Sequence, residues 1–133
     1  MNAIRRLTTV SPIAAAAVLL LACGSDPLAP FQPEINNAPD NFQFQATGLT
    51  GVTTTAQYAW QNTGTQATVN HSSTVTGGSA TLTIKDANGT QVYTGALVAS
   101  GNPTTSAGVA GAWTISVQLS NTRGTLNFRV QKL

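Results

Sequence analysis

Three places in this 133-residue chain carry side chains whose type and spacing could do chemistry. Cys23 is the only cysteine and closes an apolar run. Its thiol has no partner within the chain, so it is open to acylation or exchange rather than to an internal disulfide. His71 is the only histidine and is followed by Ser72 and Ser73. A Ser-His-acid triad works through geometry, and no nucleophile-elbow pattern frames either serine. The favoured reading is a strand-end histidine facing solvent or a rim. Asp86-Ala87-Asn88-Gly89 matches a fragment of a calcium loop. A full loop carries a glutamate at its twelfth position, which counted from Asp86 is Leu97 here, so a turn at a hairpin end is the stronger reading. Asp40 and Asp86 are the acids in or beside the folded part, and nothing pairs them across a bond as a glycosidase needs. No catalytic, metal or cofactor set emerges, and the chain reads as non-enzymatic.

Sugar rings stack on exposed aromatic side chains, and Tyr58, Trp60, Tyr93 and Trp113 are available for that. Trp60 and Trp113 run in phase with aliphatic neighbours, which favours the core for both. Tyr93 is out of phase with Val92 and is the one candidate for an exposed, ligand-binding ring.

These residues need an address and a scaffold. Arg5 and Arg6 precede an apolar stretch from Ile13 to Ala22, ten residues long, that ends in a small residue. This is the three-part pattern of an export signal. A membrane-spanning helix needs about 20 apolar residues, so the stretch is too short to serve as one.

Leu20-Leu21-Ala22-Cys23 resembles the lipobox of bacterial lipoproteins. The resemblance implies a diacylglyceryl thioether on Cys23, cleavage before it, and a further acyl chain on the new amino group. It accounts for a lone thiol in an exported chain. Two or three acyl chains make a lasting anchor where one holds only marginally. Gly24, rather than an aspartate, follows the cysteine, and Asp26 comes later. By the same resemblance the protein is expected at the outer membrane where the host has one.

Cleavage before Cys23 would leave 111 residues, one domain with a tether. Four cations (Lys85, Arg123, Arg129, Lys132) and four acids (Asp26, Glu34, Asp40, Asp86) remain, so the mature chain is formally neutral. No basic patch points to a nucleic acid. Solubility falls to Thr, Ser, Asn and Gln, and β-branched Thr suits an exposed strand face.

Residues 23–40 hold the lipidated cysteine and four of the six prolines. That density reads as an extended tether, reaching about 50 Å at roughly 3.1 Å per residue; the alternative is that Phe31 and Ile35 dock on the domain. From Asn41 to Leu133 the pattern is period-2 alternation. Phe42, Phe44 and Ala46 form one apolar row, and Ala56, Tyr58 and Trp60 the next. Ala67, Val69 and His71 follow, then Ala80, Leu82 and Ile84. Asn88-Gly89 suits a tight turn before Val92 and Tyr93, and residues 99–111 read as loop. Trp113 to Leu119 and Leu126 to Val130 end the chain, joined by a hairpin at Asn121–Gly124.

About seven strands over roughly 90 residues predict a single all-β antiparallel sandwich of immunoglobulin-like kind. Gly111-Ala-Trp113-Thr-Ile115-Ser-Val117 and Gly124-Thr-Leu126-Asn-Phe128 resemble the closing strands of small bacterial sandwich modules, the immunoglobulin-like and pre-peptidase C-terminal types. The aspartates usual in the latter's turns are missing here. The sequence thus implies a lipid-anchored envelope protein with an interaction or structural domain. The alternative is a small glycan- or ligand-binding module displayed at the cell surface. Expected partners are the membrane, through acyl chains on Cys23, and an envelope protein or glycan.

Overall fold

A computed structural model describes residues 26–133, so Cys23 and the export signal lie outside the described part. Seven strands form one antiparallel sheet. They are β1 (Glu34–Ala38), β2 (Asn41–Asn62), β3 (Ala67–Ser72), β4 (Thr74–Lys85), β5 (Gln91–Ala96), β6 (Ser100–Gly101) and β7 (Gly111–Lys132). The all-β antiparallel sandwich expected from the alternation is what forms. Its two layers, however, are two halves of the same sheet.

The cause is strand length. β2 and β7 each run 22 residues and pair along nearly their whole length, from Asn41 opposite Gln131 to Asn62 opposite Gly111. Fully extended, such a strand would span about 70 Å, more than twice the width of a domain of this size. The ribbon therefore folds back on itself. Register breaks in β2 between Ala46 and Thr54 face breaks in β4 between Val75 and Ser79 across Asn121–Gly124 of β7. Gly51, Gly78 and Gly124 take positive φ along this crease. Bulges of this kind bend a strand and sharpen its twist. Phe42 and Tyr58, sixteen residues apart on β2, end with ring centroids 5.4 Å apart.

One layer holds β1, the first half of β2, the last half of β7, β3 and β6. The other holds the second half of β2, the first half of β7, β4 and β5. Between them lie the predicted rows. Phe42, Phe44, Phe128 and Val130 face Trp113, Ile115, Leu82 and Ile84, all buried. Phe44 stacks on Phe128 at 5.2 Å, and Trp60 meets Trp113 edge-on at 5.9 Å and 89°. At the open end of the fold, Trp60 Nε1 donates to the Ala38 carbonyl (3.0 Å) and the Asp40 N–H to the Gln61 carbonyl (2.8 Å). Those bonds tie the two halves of β2 together.

Two expectations need correction. No hairpin separates Trp113–Leu119 from Leu126–Val130. Asn121–Gly124 is a bend inside one strand, because its turn-forming residues serve the crease. Nor do residues 26–40 hang free as a tether. Leu28 is 1% exposed and part of the core, Phe31 packs against it, and Glu34–Ala38 is a strand. Proline density misleads here because the spacing matters more. Pro27, Pro30 and Pro33 precede the strand and Pro39 starts its turn, which leaves five consecutive residues with every N–H available. At that turn Pro39 sets φ and Asp40 takes +65°, as a type II turn requires. The expected seven strands are therefore reached differently. Two predicted pairs are each one long strand, and β1 and β6 make up the number.

Two contrasts test this architecture by urea midpoints of the full chain. A Cβ at Gly124 would sit 2.0 Å from the Thr74 carbonyl oxygen, whereas one at Gly48 meets nothing within 4 Å. Both have positive φ, so Gly48→Ala should cost only the left-handed penalty of about 1–2 kcal/mol. Gly124→Ala should cost about 3 kcal/mol or more, since backbone must move. Equal costs would mean the crease is not closely packed. Separately, Trp113→Ala should cost about 3–5 kcal/mol, and Thr114→Ala, facing outward beside it, about 0.5 kcal/mol or less. A larger loss at Thr114 would invert the strand's phase.

Candidate functional site

His71 does not face solvent. It ends the buried row of β3 at 9% exposure, and its Nδ1–H donates to the Ala99 carbonyl (2.6 Å). The crossing segment after β5 lies along the free edge of β3, with Val69 N–H bonded to Pro103 and Thr105 N–H to Ala67. His71 is enclosed by that segment. Ser73 Oγ donates to the Asn127 carbonyl (3.3 Å) and accepts from the Asn127 N–H (2.9 Å). Both side chains thus serve the backbone.

Asp86 organises the β4–β5 turn. Oδ1 accepts from the N–H of Asn88 (3.0 Å) and Thr90 (2.9 Å), and Oδ2 from that of Val109 (2.9 Å). Oxygens ringed by N–H donors suit the carboxylate itself and repel a cation, so the turn reading accounts for the motif. The Thr90 N–H holds the Asp86 pKa below the ordinary aspartate value. Burial opposes this, and the Val109 and Asn88 donors add to it. Asp40 is lowered likewise, first by the Thr63 N–H (2.8 Å), against burial, then by the Thr63 hydroxyl and Lys132.

The two tryptophans offer no exposed ring, and Tyr58 packs partly buried against Phe42 and Phe44. Trp60 and Trp113 are buried and hydrogen-bonded, Trp113 Nε1 donating to the Val109 carbonyl (2.7 Å). Tyr93 is half-buried and packed on the core, which corrects the expectation of an exposed ring. A bulge sets Val92 and Tyr93 together against one stretch of β4, between Ile84 and Lys85, so the two are no longer out of phase. The Tyr93 ring lies over Gly95, where a Cβ would meet its hydroxyl oxygen at 2.5 Å. It covers bare backbone on an edge strand. Burial raises its pKa.

A different surface stands out. Outward-facing residues of the five-strand layer line up across strands. Asn36, Gln43, Arg129 and Asn70 form one row, and Glu34, Gln45 and Asn127 the next. Two adjoining open hollows, of about 170 and 150 Å³, lie there and share Gln43 and Asn127 as walls. With its amide oxygen turned toward the guanidinium, Gln43 accepts from both Nη2 and Nε of Arg129, at 3.0 Å for Nε. Among the described residues the one ion pair is Lys132–Asp40, at 3.9 Å, so Arg129 has no carboxylate beside it. Asn41 Oδ1, on the same face, is buried with no hydrogen-bond partner. The outer face of the other layer differs. Its rows, such as Gln57–Ser116–Thr83–Thr94, contain no asparagine. Asparagine is a poor strand former and threonine a good one. That contrast was readable in the sequence once the faces were known.

No known family model matches the chain, and no curated protein is significantly similar to it. Among solved structures it is similar to one described as the infectious bursal disease virus Gt strain, at TM-score 0.29 and 16% identity. The likeness covers 92% of this chain and 34% of that one, so this chain spans about a third of its length. It is too loose to place the chain in a fold family.

The Asp86 geometry sets a pH dependence. A carboxylate with a lowered folded pKa adds stability that is full above its unfolded value, near 3.9, and is lost as pH falls through the lowered value. Unfolding midpoints should therefore drop below about pH 4. Asp86→Asn sets an amide N–H₂ among N–H donors, so it should destabilise the fold at pH 7 and flatten that acid limb. An unchanged pH profile in the variant would show that Asp86 does not carry it.

Proposed function

We propose that the chain is a non-enzymatic lipid-anchored envelope protein whose β-sandwich acts as an interaction or structural module. The observation that carries this reading is the sequence Leu20-Leu21-Ala22-Cys23, followed five residues later by the core residue Leu28. Five residues reach no further than about 17 Å. An acylated Cys23 would hold the domain against the lipid rather than on a long stalk. The candidate titratable and nucleophilic groups support the same reading, since His71, Ser73 and Asp86 all hydrogen-bond to backbone partners. Gly24 after the cysteine favours the outer membrane where the host has two membranes.

A neutral mature chain has no polybasic hold on anionic lipid, which would otherwise supplement acyl chains. Membrane retention therefore rests on Cys23. In Cys23→Ala the acyl mass should be absent and the processed form lost, as read by mass spectrometry of the membrane fraction. Retention in the detergent phase at the processed mass would overturn the anchor. Recovery of the wild type only from inner-membrane density fractions of a two-membrane host would overturn the location.

A further inference from the structure

We propose that the outer face of the five-strand layer, centred on Gln43, Asn127 and Arg129, binds an extended polysaccharide that carries carboxylate groups. This proposal does not depend on the anchor and stands on three observations. Asparagines at 36, 41, 70 and 127 gather on this one face, against their strand propensity, while the opposite outer face carries threonine, serine, glutamine, alanine and Lys85 and no asparagine. Local choices that oppose the fold mark places where something other than folding sets the residue. Each side-chain amide offers both donors and acceptors, the pairing that sugar hydroxyls require.

The shape selects a chain rather than a small molecule. Enclosed ligand pockets run to about 300–1,000 Å³ and are mostly apolar. Here two shallow hollows of about 170 and 150 Å³ adjoin through shared polar walls, as successive subsites along a polymer would. The charge selects the acid at the second hollow, which Arg129 lines, while the Glu34 carboxylate lines the first and would face an uncharged stretch of the polymer. Gln43 occupies the Nε–Nη2 side of the Arg129 guanidinium, which leaves the Nη1–Nη2 side free. That side takes a carboxylate with two parallel hydrogen bonds. A single such cation suits a polymer of spaced carboxylates. Nucleic-acid sites neutralise several phosphates at once.

The test is titration of the full chain, in nonionic detergent at constant ionic strength, with an oligogalacturonate and with a malto-oligosaccharide of equal length. Calorimetry and side-chain amide NMR shifts are the readouts. Gln43, Asn70 and Asn127 resonances should move with oligogalacturonate. Arg129→Gln should weaken that binding about tenfold while changing the weaker neutral binding less than about twofold. Arg129→Lys, which keeps the charge but not the fork, should fall between. Asn127→Thr should weaken both ligands, and Thr81→Ser on the other outer face neither. The proposal fails if oligogalacturonate does not bind at millimolar concentration, or if shifts map to the threonine face. It fails equally if Arg129→Gln weakens both ligands alike, if anionic phospholipid vesicles move these resonances where oligogalacturonate does not, or if this face mediates association of the chain with itself.

Discussion

Everything in this domain depends on folding a two-stranded ribbon that is too long for it. β2 and β7 pair over nearly all of their 22 residues, and only a crease makes that ribbon compact. Residues at the crease must accept left-handed backbone or a neighbouring strand's close approach. A Cβ at Gly78 would sit 2.1 Å from the Asn121 carbonyl oxygen, so this position tolerates glycine alone. Once creased, the apolar rows of a single sheet become the two walls of its own core. Phe42 finds Tyr58 of the same strand, and Trp60 donates its indole N–H back to the residue that ends β1. Its two layers are joined by β2 and β7, which run unbroken and hydrogen-bonded to each other from one layer into the other.

The same economy governs polar groups. With few charges available, the structure uses them as local fasteners. Asp86 gathers three backbone N–H groups at one turn, and Asp40 joins the β1–β2 turn to Thr63 and Lys132. Free edges are managed without charge as well. The segment from Pro103 to Thr105 runs along β3, and Tyr93 lies over Gly95 on β5. Arg129 differs from Lys85 and Arg123, which also lack an ion pair, in having its guanidinium held in place by the Gln43 amide. It sits where poor strand formers collect, and those two departures from the pattern coincide on one face.

Early entry of the chain into the core reshapes the proposed anchor. Leu28 is buried only five residues after Cys23, so the Pro-rich stretch is wall rather than stalk. Under the proposed acylation of Cys23, the short link to Leu28 would keep the domain close to the lipid.

Sequence alone determined the strand phases. Side chains alternate with period two whatever the partners, so Phe42, Leu82, Ile84, Trp113, Ile115 and Phe128 were all legible as core. It marked the turn at Asn88–Gly89, whose residue types also fit a metal loop, and missed the one at Pro39–Asp40, where proline density reads as a tether. Only tertiary structure decided that four predicted strands were two. A glycine-marked bend and a hairpin share the same residues, and the choice lies in which backbone comes alongside. It also turned Tyr93 inward through a one-residue bulge, and enclosed His71 beneath a loop that carries no periodic signal. The amide-lined face was spelled out in scattered asparagines and glutamines from Asn36 to Arg129. Four strands distant in sequence had to pair before those residues became neighbours, because a binding surface on a sheet is read across strands and the chain is written along them.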